Sequence, residues 1–235
     1  MCTFTFFSAE DDSFFFNVNR DESPLRPKAK LPKKYFIENK KLFYPKDPQG
    51  GGSWICVNAG QQVACLMNGA FEKHKRELPY KKSRGLVLID FMSSSDKLTF
   101  FNDYDLEGIE PFTIVFFDIK QGLFDFRWDS KDLHIKNEDS KKPHIISSSA
   151  LFSNSQKKER EHWLEKFLGE IKKPDFNSIK NFHLEAGMEN PLNAVCLNRF
   201  AIVASVSFCS INITKENTIF YYKDLLDGEE KSIII

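Results

Sequence analysis

The chain opens Met1-Cys2-Thr3-Phe4-Thr5-Phe6-Phe7, and a second β-prone run, Phe14 to Asn19, leads into Asn19-Arg20-Asp21-Glu22. Thr3 to Ser8 alternates weakly, and Glu10-Asp11-Asp12-Ser13 is a cluster of turn formers, so the two runs spell a β-hairpin. A hairpin returns the chain to its start, which places the polar burst at 19–22 beside Cys2. The small side chain at position 2 permits removal of Met1, leaving a thiol and a free α-amine on one residue. An α-amine titrates at about 7.7–8.0 and a thiol at about 8.5, so the amine can act as a base near neutral pH. One residue then supplies both nucleophile and base.

Thiol-based amide cleavage needs more than the nucleophile: a group that holds the amine, donors for the developing oxyanion, and a lining that orients the acyl group. Asp21 is the candidate anchor for the α-amine, because a carboxylate can hold an ammonium or accept from an amine. Arg20 can pair with a substrate carboxylate or favour the thiolate electrostatically. Asn19 and Asn68 can donate side-chain N–H groups to an oxyanion.

Composition narrows the remaining classes. The 235 residues suffice for a large core, and the 24 Phe are spread along the chain as core formers. Lys plus Arg and Asp plus Glu both number 33, so no global charge favours nucleic acid or an anionic membrane. The Lys-rich stretch from Lys28 to Lys41 lacks a stacking surface and reads as a solvated loop. No apolar run approaches the roughly 20 residues that span a bilayer, and no secretory signal is expected. The five cysteines, Cys2, Cys56, Cys65, Cys196 and Cys209, show no CxxC spacing and read as reduced thiols of a cytoplasmic protein. The histidines are scattered, with no metal pattern, and His74 and His162 read as surface residues.

Along the chain, residues 23–50 are rich in Pro and Lys and read as a long surface loop. Gly50-Gly51-Gly52-Ser53 introduces a second strand pair, Trp54 to Asn58 and Val63 to Met67. Helices are expected over Ser83 to Met92, with Ser83 as cap, over Asp96 to Leu106, and over Gln156 to Ile171, where Trp163, Leu164, Phe167 and Leu168 form an apolar stripe. Phe112 to Asp118, Leu123 to Trp128, Leu133 to Lys136, Ala194 to Ile213 and Asn217 to Tyr222 read as strands. The pattern predicts a single α+β domain, 1–235, with antiparallel sheets.

Met1-Cys2-Thr3, Asn19-Arg20-Asp21-Glu22, Gly51-Gly52-Ser53-Trp54 with Val57-Asn58, Leu66-Met67-Asn68, and Ser83-Arg84-Gly85 with Asp90-Phe91 together resemble the NRDE family, also called the transport and Golgi organisation protein 2 family. The resemblance implies an N-terminal nucleophile hydrolase fold, a four-layer αββα sandwich, and kinship with bile-salt and penicillin V acylases that cleave linear amides. It assigns Cys2 as nucleophile, Asp21 as holder of the amine, Arg20 as its companion and Asn68 as oxyanion donor, with no metal or organic cofactor. Gly51, Gly52 and Trp54 would shape the turn and pack beneath the site, with Trp54 also placed among the substrate-binding residues beside Asn19 and Ser149.

Two segments depart from the family pattern. A Ser-Asn-Ala segment is replaced by Ser148-Ser149-Ala150, which makes Ser149 the counterpart of a second asparagine. A C-terminal Tyr-Gly-Thr-Arg-Ser pattern is replaced by Ser205-Val206-Ser207-Phe208-Cys209-Ser210, without its arginine; Arg199 lies nearby in sequence. Two functions are therefore carried forward: hydrolysis of a small-molecule linear amide, and a non-catalytic binding or trafficking role related to haem or lipid.

Overall fold

A computed structural model describes residues 2–9, 12–200 and 202–235. Met1, Glu10 and Asp11 of the expected turn, and Ala201 lie outside the described residues. Strands β1 (Cys2–Ser8) and β2 (Phe14–Glu22) pair antiparallel in the register Cys2↔Arg20, Thr3↔Asn19. Next come β3 (Lys30–Ile37), β4 (Lys40–Lys46), β5 (Ile55–Asn58), β6 (Val63–Asn68), helix α1 (Arg84–Ser93), β7 (Phe112–Asp118), β8 (Gly122–Trp128) and β9 (Leu133–Glu138). The chain closes with β10 (His144–Ser147), α2 (Asn154–Glu170), α3 (Phe176–Glu185), β11 (Asn198–Arg199), β12 (Val203–Ile213), β13 (Thr218–Asp224) and β14 (Glu230–Ile234).

The 1–235 span is organised as two compact units: 1–26 with 140–235, and 27–139. The first holds an antiparallel sheet in the order β10-β1-β2-β12-β13-β14, with β11 on β12. Helices α2 and α3 pack on it through β10 and β12. The second holds the meander β3-β4-β5-β6-β7-β8-β9, with α1 over β4, β5 and β6. Each unit thus contributes one helix layer and one sheet layer, which is the α+β class expected.

In the second unit, α1 drives Val87, Leu88, Phe91 and Met92 into a core shared with Leu42, Leu66, Phe112 and Phe126. Phe91 lies 5.4–5.6 Å, centroid to centroid, from Phe100, Phe101, Phe116 and Phe126, separations at which aromatic pairs add about 0.5–1.5 kcal/mol beyond area burial. The turn before β5 meets the first turn of α1 at Gly52: Ser53 N–H donates to the Gly85 carbonyl at 3.2 Å, and a β-carbon at position 52 would lie 2.1 Å from Gly85 C. Ser83 stands at the N-cap of α1 but makes no side-chain capping bond.

Three expectations are corrected. Residues 23–50 are not a long loop, because β3 and β4 form a hairpin inside them. Pro32 and the lysines are tolerated because β3 is an edge strand with an irregular register between Lys30 and Lys33, where a missing N–H and charged side chains do no harm. The turn residues Glu38 and Asn39 both have positive φ, 46° and 63°, matching the twist a two-residue hairpin needs. Nor do residues 96–106 form a helix; only Phe100–Asn102 makes a 3₁₀ turn. Asp96 Oδ1 instead accepts from the Leu98 and Thr99 N–H groups, a local side-chain bond that competes with helix formation. The closing strand expected from Ala194 begins in earnest only at Val203, after the short β11. Helix α3 was missed, although Asp175 and Ser178 make a reciprocal capping box at its start, as Ser153 and Gln156 do for α2. Strands β10 and β14 were also not anticipated.

Candidate active site

The pairing of β1 with β2 sorts the candidate residues by face, because side chains alternate along a strand and oppose across a rung. Cys2 and Arg20 share a rung and a face. Thr3, Thr5, Asn17, Asn19 and Asp21 occupy the other face, which α2 and α3 cover: Thr5 and Asn19 bond His183 of α3, and Thr3 bonds Arg160 of α2. That covered face is apolar at one end, where Phe7 and Phe15 pack with Leu164, Ile179 and Phe182. Toward Cys2 it becomes polar, and Thr3, Thr5, Asn17, Asn19 and Asp21 are nonetheless fully buried.

Burial on that scale demands partners. The Asn19 amide donates to the His183 and Val195 carbonyls at 2.8 and 2.9 Å, and its oxygen meets His183 Nδ1 at 3.2 Å. Both of its donors therefore brace α3 and the 195 segment. With Asn19 Oδ1 as acceptor, the network assigns the His183 proton to Nδ1, and Nε2 accepts from the Thr5 hydroxyl at 2.7 Å. Thr5 Oγ1 in turn accepts from Asn17 Nδ2 at 3.2 Å, and Asn17 Oδ1 accepts from Ser210 Oγ at 2.7 Å.

This network has a pH consequence. Burial first, then Arg160, push His183 from its ordinary 6.5 down to about 3. Between those values the unfolded chain takes a proton that the folded chain refuses. The stabilisation from a neutral His183 is thus complete above pH 6.5 and is lost as pH falls. At ~1.4 kcal/mol per pH unit the loss reaches on the order of 4–5 kcal/mol by pH 3. Urea midpoints measured from pH 7 to pH 4 should fall for the wild type, and His183→Gln should flatten that slope.

Asp21 lies on the same buried face. Its Oδ1 accepts from Ser205 Oγ at 2.6 Å and its Oδ2 from Thr3 Oγ1 at 3.5 Å. Burial pushes its carboxyl up overall, outweighing the Arg160 guanidinium, the Ser205 bond, the terminal amine and the Thr3 bond, which pull it down. Cys2 is buried on the opposite face, its carbonyl accepting from the Ser148 N–H at 3.0 Å. Burial, with smaller contributions from Asp21 and Glu22 and against the terminal amine and Arg20, pushes the Cys2 thiol up to about 11. The resting sulfur therefore carries its proton, and attack requires a base.

Ser149 follows β10 and is buried next to Ser148, so it belongs to the same end of this sheet as Cys2. Asn68 and Trp54 belong to the second unit. Asn68 ends β6 opposite Phe112 and is half-buried, and Trp54 is buried just before β5 with its carbonyl accepting from Leu66 N–H at 2.8 Å. Arg199, the sequence neighbour of the missing arginine, gives its Nε and Nη1 to the Leu192 and Leu151 carbonyls at 2.9 and 3.2 Å.

Arg160 and Ser205 were not singled out from the sequence. Arg160 is fully buried in α2, and the signal was present: 160, 163, 164, 167 and 168 fall at the spacing of one helix face, so an arginine stood on the apolar stripe. Ser205 sits opposite Asp21 on β12, beside an irregularity between Ser205 and Ser207. No group of described residues has the His, Cys, Asp and Glu arrangement of a metal site.

Two antiparallel sheets with their covering helices are the α+β architecture of the N-terminal nucleophile hydrolase fold, and solved structures share it. The N-acylethanolamine-hydrolyzing acid amidase orthologue of Caenorhabditis elegans superposes with a TM-score of 0.63 at 12% identity, over 89% of this chain and 92% of that one. Penicillin V acylase from Agrobacterium tumefaciens gives 0.55 at 10% identity, over 99% and 86%. Conjugated bile acid hydrolase from Clostridium perfringens gives 0.54 at 10%, over 99% and 92%. The chain belongs to the Transport and Golgi organisation 2 family, whose model matches residues 1–204. A search of curated protein sequences finds no match. Among the described residues, no helix is long and apolar enough to cross a membrane.

Proposed function

We propose that the protein is an N-terminal cysteine hydrolase that cleaves the C–N bond of a small linear amide. The observation that carries this reading is the split of one strand pair: Cys2 and Arg20 on one face, and Asp21 on the other, held by Ser205 and Thr3 at the same end of the sheet. A carboxylate on the face away from the thiol is suited to hold the backbone amine of residue 2, while Arg20 serves the thiol side. The names of the fold relatives, an amidase, an acylase and a hydrolase, agree with that reaction class. A cysteine-to-alanine variant of the bile acid hydrolase is also among the matching structures.

After Met1 removal, Cys2 Sγ attacks the amide carbonyl and its proton passes to the α-amine, forming a C–S bond and a tetrahedral oxyanion. The oxyanion collapses, the C–N bond breaks, and the leaving amine takes the proton from the α-ammonium. Water then hydrolyses the thioester, releasing a carboxylic acid and restoring the thiol. Asn68 is the oxyanion donor in this reading, and Ser149 and Trp54 contact substrate, roles taken from the family resemblance.

The test combines intact mass with activity. The purified protein should lack Met1, hydrolyse members of a panel of N-acyl amides, and accumulate a covalent acyl adduct on Cys2 when quenched in acid. Retention of Met1 in an active preparation, or no turnover of any amide by the processed protein, would defeat the proposal.

A further inference from the structure

Arg160 is the largest fully buried side chain in the first unit and carries a charge where an aliphatic residue would fill the helix stripe. Its guanidinium is held at every edge. Nε donates to the Asn193 carbonyl at 2.9 Å, Nη2 to the Ala194 carbonyl, and Nη1 to both Thr3 Oγ1 and, at 3.2 Å, Ser147 Oγ. Its carbon centre sits 3.6 Å from the Phe152 ring centroid, a cation–π contact in a dry setting. Such a side chain cannot swing away, so its charge is a fixed feature of the face that bears Asp21.

The hydroxyl beside it decides where that charge is felt. Thr3 Oγ1 accepts from Arg160, so its single proton is free to point only toward another acceptor, and Asp21 Oδ2 lies 3.5 Å away. Ser205 repeats the device on the other oxygen: its Oγ accepts from Leu197 N–H at 2.8 Å and donates to Asp21 Oδ1. Both carboxylate oxygens thus face hydroxyls whose direction a second donor has set. A buried carboxylate with no compensating cation takes up a proton, and a protonated Asp21 could not hold an ammonium.

We propose that Arg160 is a positioning residue: by its charge, and through Thr3, it opposes protonation of the buried Asp21 at the N-terminal end of β1, where the amine of Cys2 is to be held. The inference deepens the amidase reading and rests on it for its catalytic meaning. The charged groups acting on Asp21 are Arg160 from α2 and the terminal amine, while Cys2 on the opposite face of β1 and Cys196 from the segment before β11 feel its charge; those acting on Arg160 are Asp21, Arg199 and Glu159, with the neutral His183 of α3 beside it. Burial lowers Arg160 to about 10, which leaves it charged at neutral pH.

The experiment is a carbon-13 NMR titration of aspartate carboxyls in the processed full-length protein, with Asp21→Asn assigning the signal. It is run beside the pH profile of amide hydrolysis. Arg160→Met should raise the Asp21 midpoint by about 1–3 pH units and carry the acid limb of kcat/KM with it. Arg160→Lys should restore most of the shift but not the full rate, since an ammonium lacks the fork that reaches Thr3 and Ala194 together. Thr3→Val keeps Arg160 and its charge, removes the relay, and should raise the midpoint by a smaller amount; it carries the test if Arg160→Met does not fold. An Asp21 midpoint unmoved in folded Arg160→Met, or in Thr3→Val when that variant is the one measured, overturns the proposal. A wild type that hydrolyses no amide defeats the amidase reading instead, and the carboxyl titration still decides whether Arg160 governs Asp21.

Discussion

Replacing Cys2 by alanine is expected to abolish amide turnover, by a factor of about 10⁴ or more, with the fold retained. The substitution removes one sulfur from a buried position on the rung shared with Arg20, and the backbone bond from Ser148 N–H to the Cys2 carbonyl is unaffected. Alanine is also small, so Met1 removal proceeds and the α-amine is still presented; only the nucleophile is lost. Cys2→Ser refines the result. A hydroxyl ionises far less readily than a thiol, and a sulfur already pushed up to about 11 marks an environment that disfavours a charged nucleophile. The serine variant should therefore be nearly as inactive as alanine. Steady-state hydrolysis and acid-quenched adduct formation, with circular dichroism as the fold control, measure both. An alanine variant that keeps the wild-type rate removes Cys2 from the reaction.

Gly52→Ala is expected to produce the largest loss of stability of any single methyl addition in the second unit, about 3–5 kcal/mol. A β-carbon there would stand 2.1 Å from Gly85 C, 2.3 Å from its O and 2.5 Å from Leu86 N. All three are backbone atoms of the α1 N-terminus, so no side chain can rotate to relieve the clash. The helix start must move, and the Ser53 N–H bond to the Gly85 carbonyl goes with it. Gly85→Ala meets Ser53 O at 3.0 Å and Ser53 N at 3.1 Å, and should cost less, about 1–3 kcal/mol. Gly169, in α2 with nothing within 4 Å, is the control: alanine there should stabilise by up to about 1 kcal/mol. Urea unfolding of the three variants gives the order, and a Gly52→Ala midpoint equal to wild type would mean the turn and helix do not meet as described.

How much of this could be read from sequence differs by physical cause. The first hairpin was legible because two β-prone runs flank a turn cluster, and its register follows from bringing Asn19-Arg20-Asp21-Glu22 back to Cys2. The covered face was not. Alternation of Thr with Phe ordinarily marks a half-exposed strand, yet Thr3 and Thr5 are fully buried because α2 and α3 bring Arg160 and His183 to meet them. Long-range polar partners of this kind, 157 residues apart for Thr3 and Arg160, leave no local trace. The β3 strand hid behind Pro32 and its lysines, which are edge-strand features as much as loop features. Residues 96–106 do not form the expected helix, because Asp96 engages the Leu98 and Thr99 N–H groups with its own side chain.

The unit that bears Cys2 is closed by both ends of the chain, since β1 and β2 are flanked by β10 and β12. β12, residues 203–213, is synthesised about 180 residues after β2. At ~5–20 residues per second the first strand pair waits on the order of ten seconds or more for β12. In the finished protein residue 2 is buried. On the proposed reading, then, removal of Met1 has a deadline: it belongs to the ribosome-bound chain, and the speed of synthesis sets how many molecules reach the folded state with a working amine.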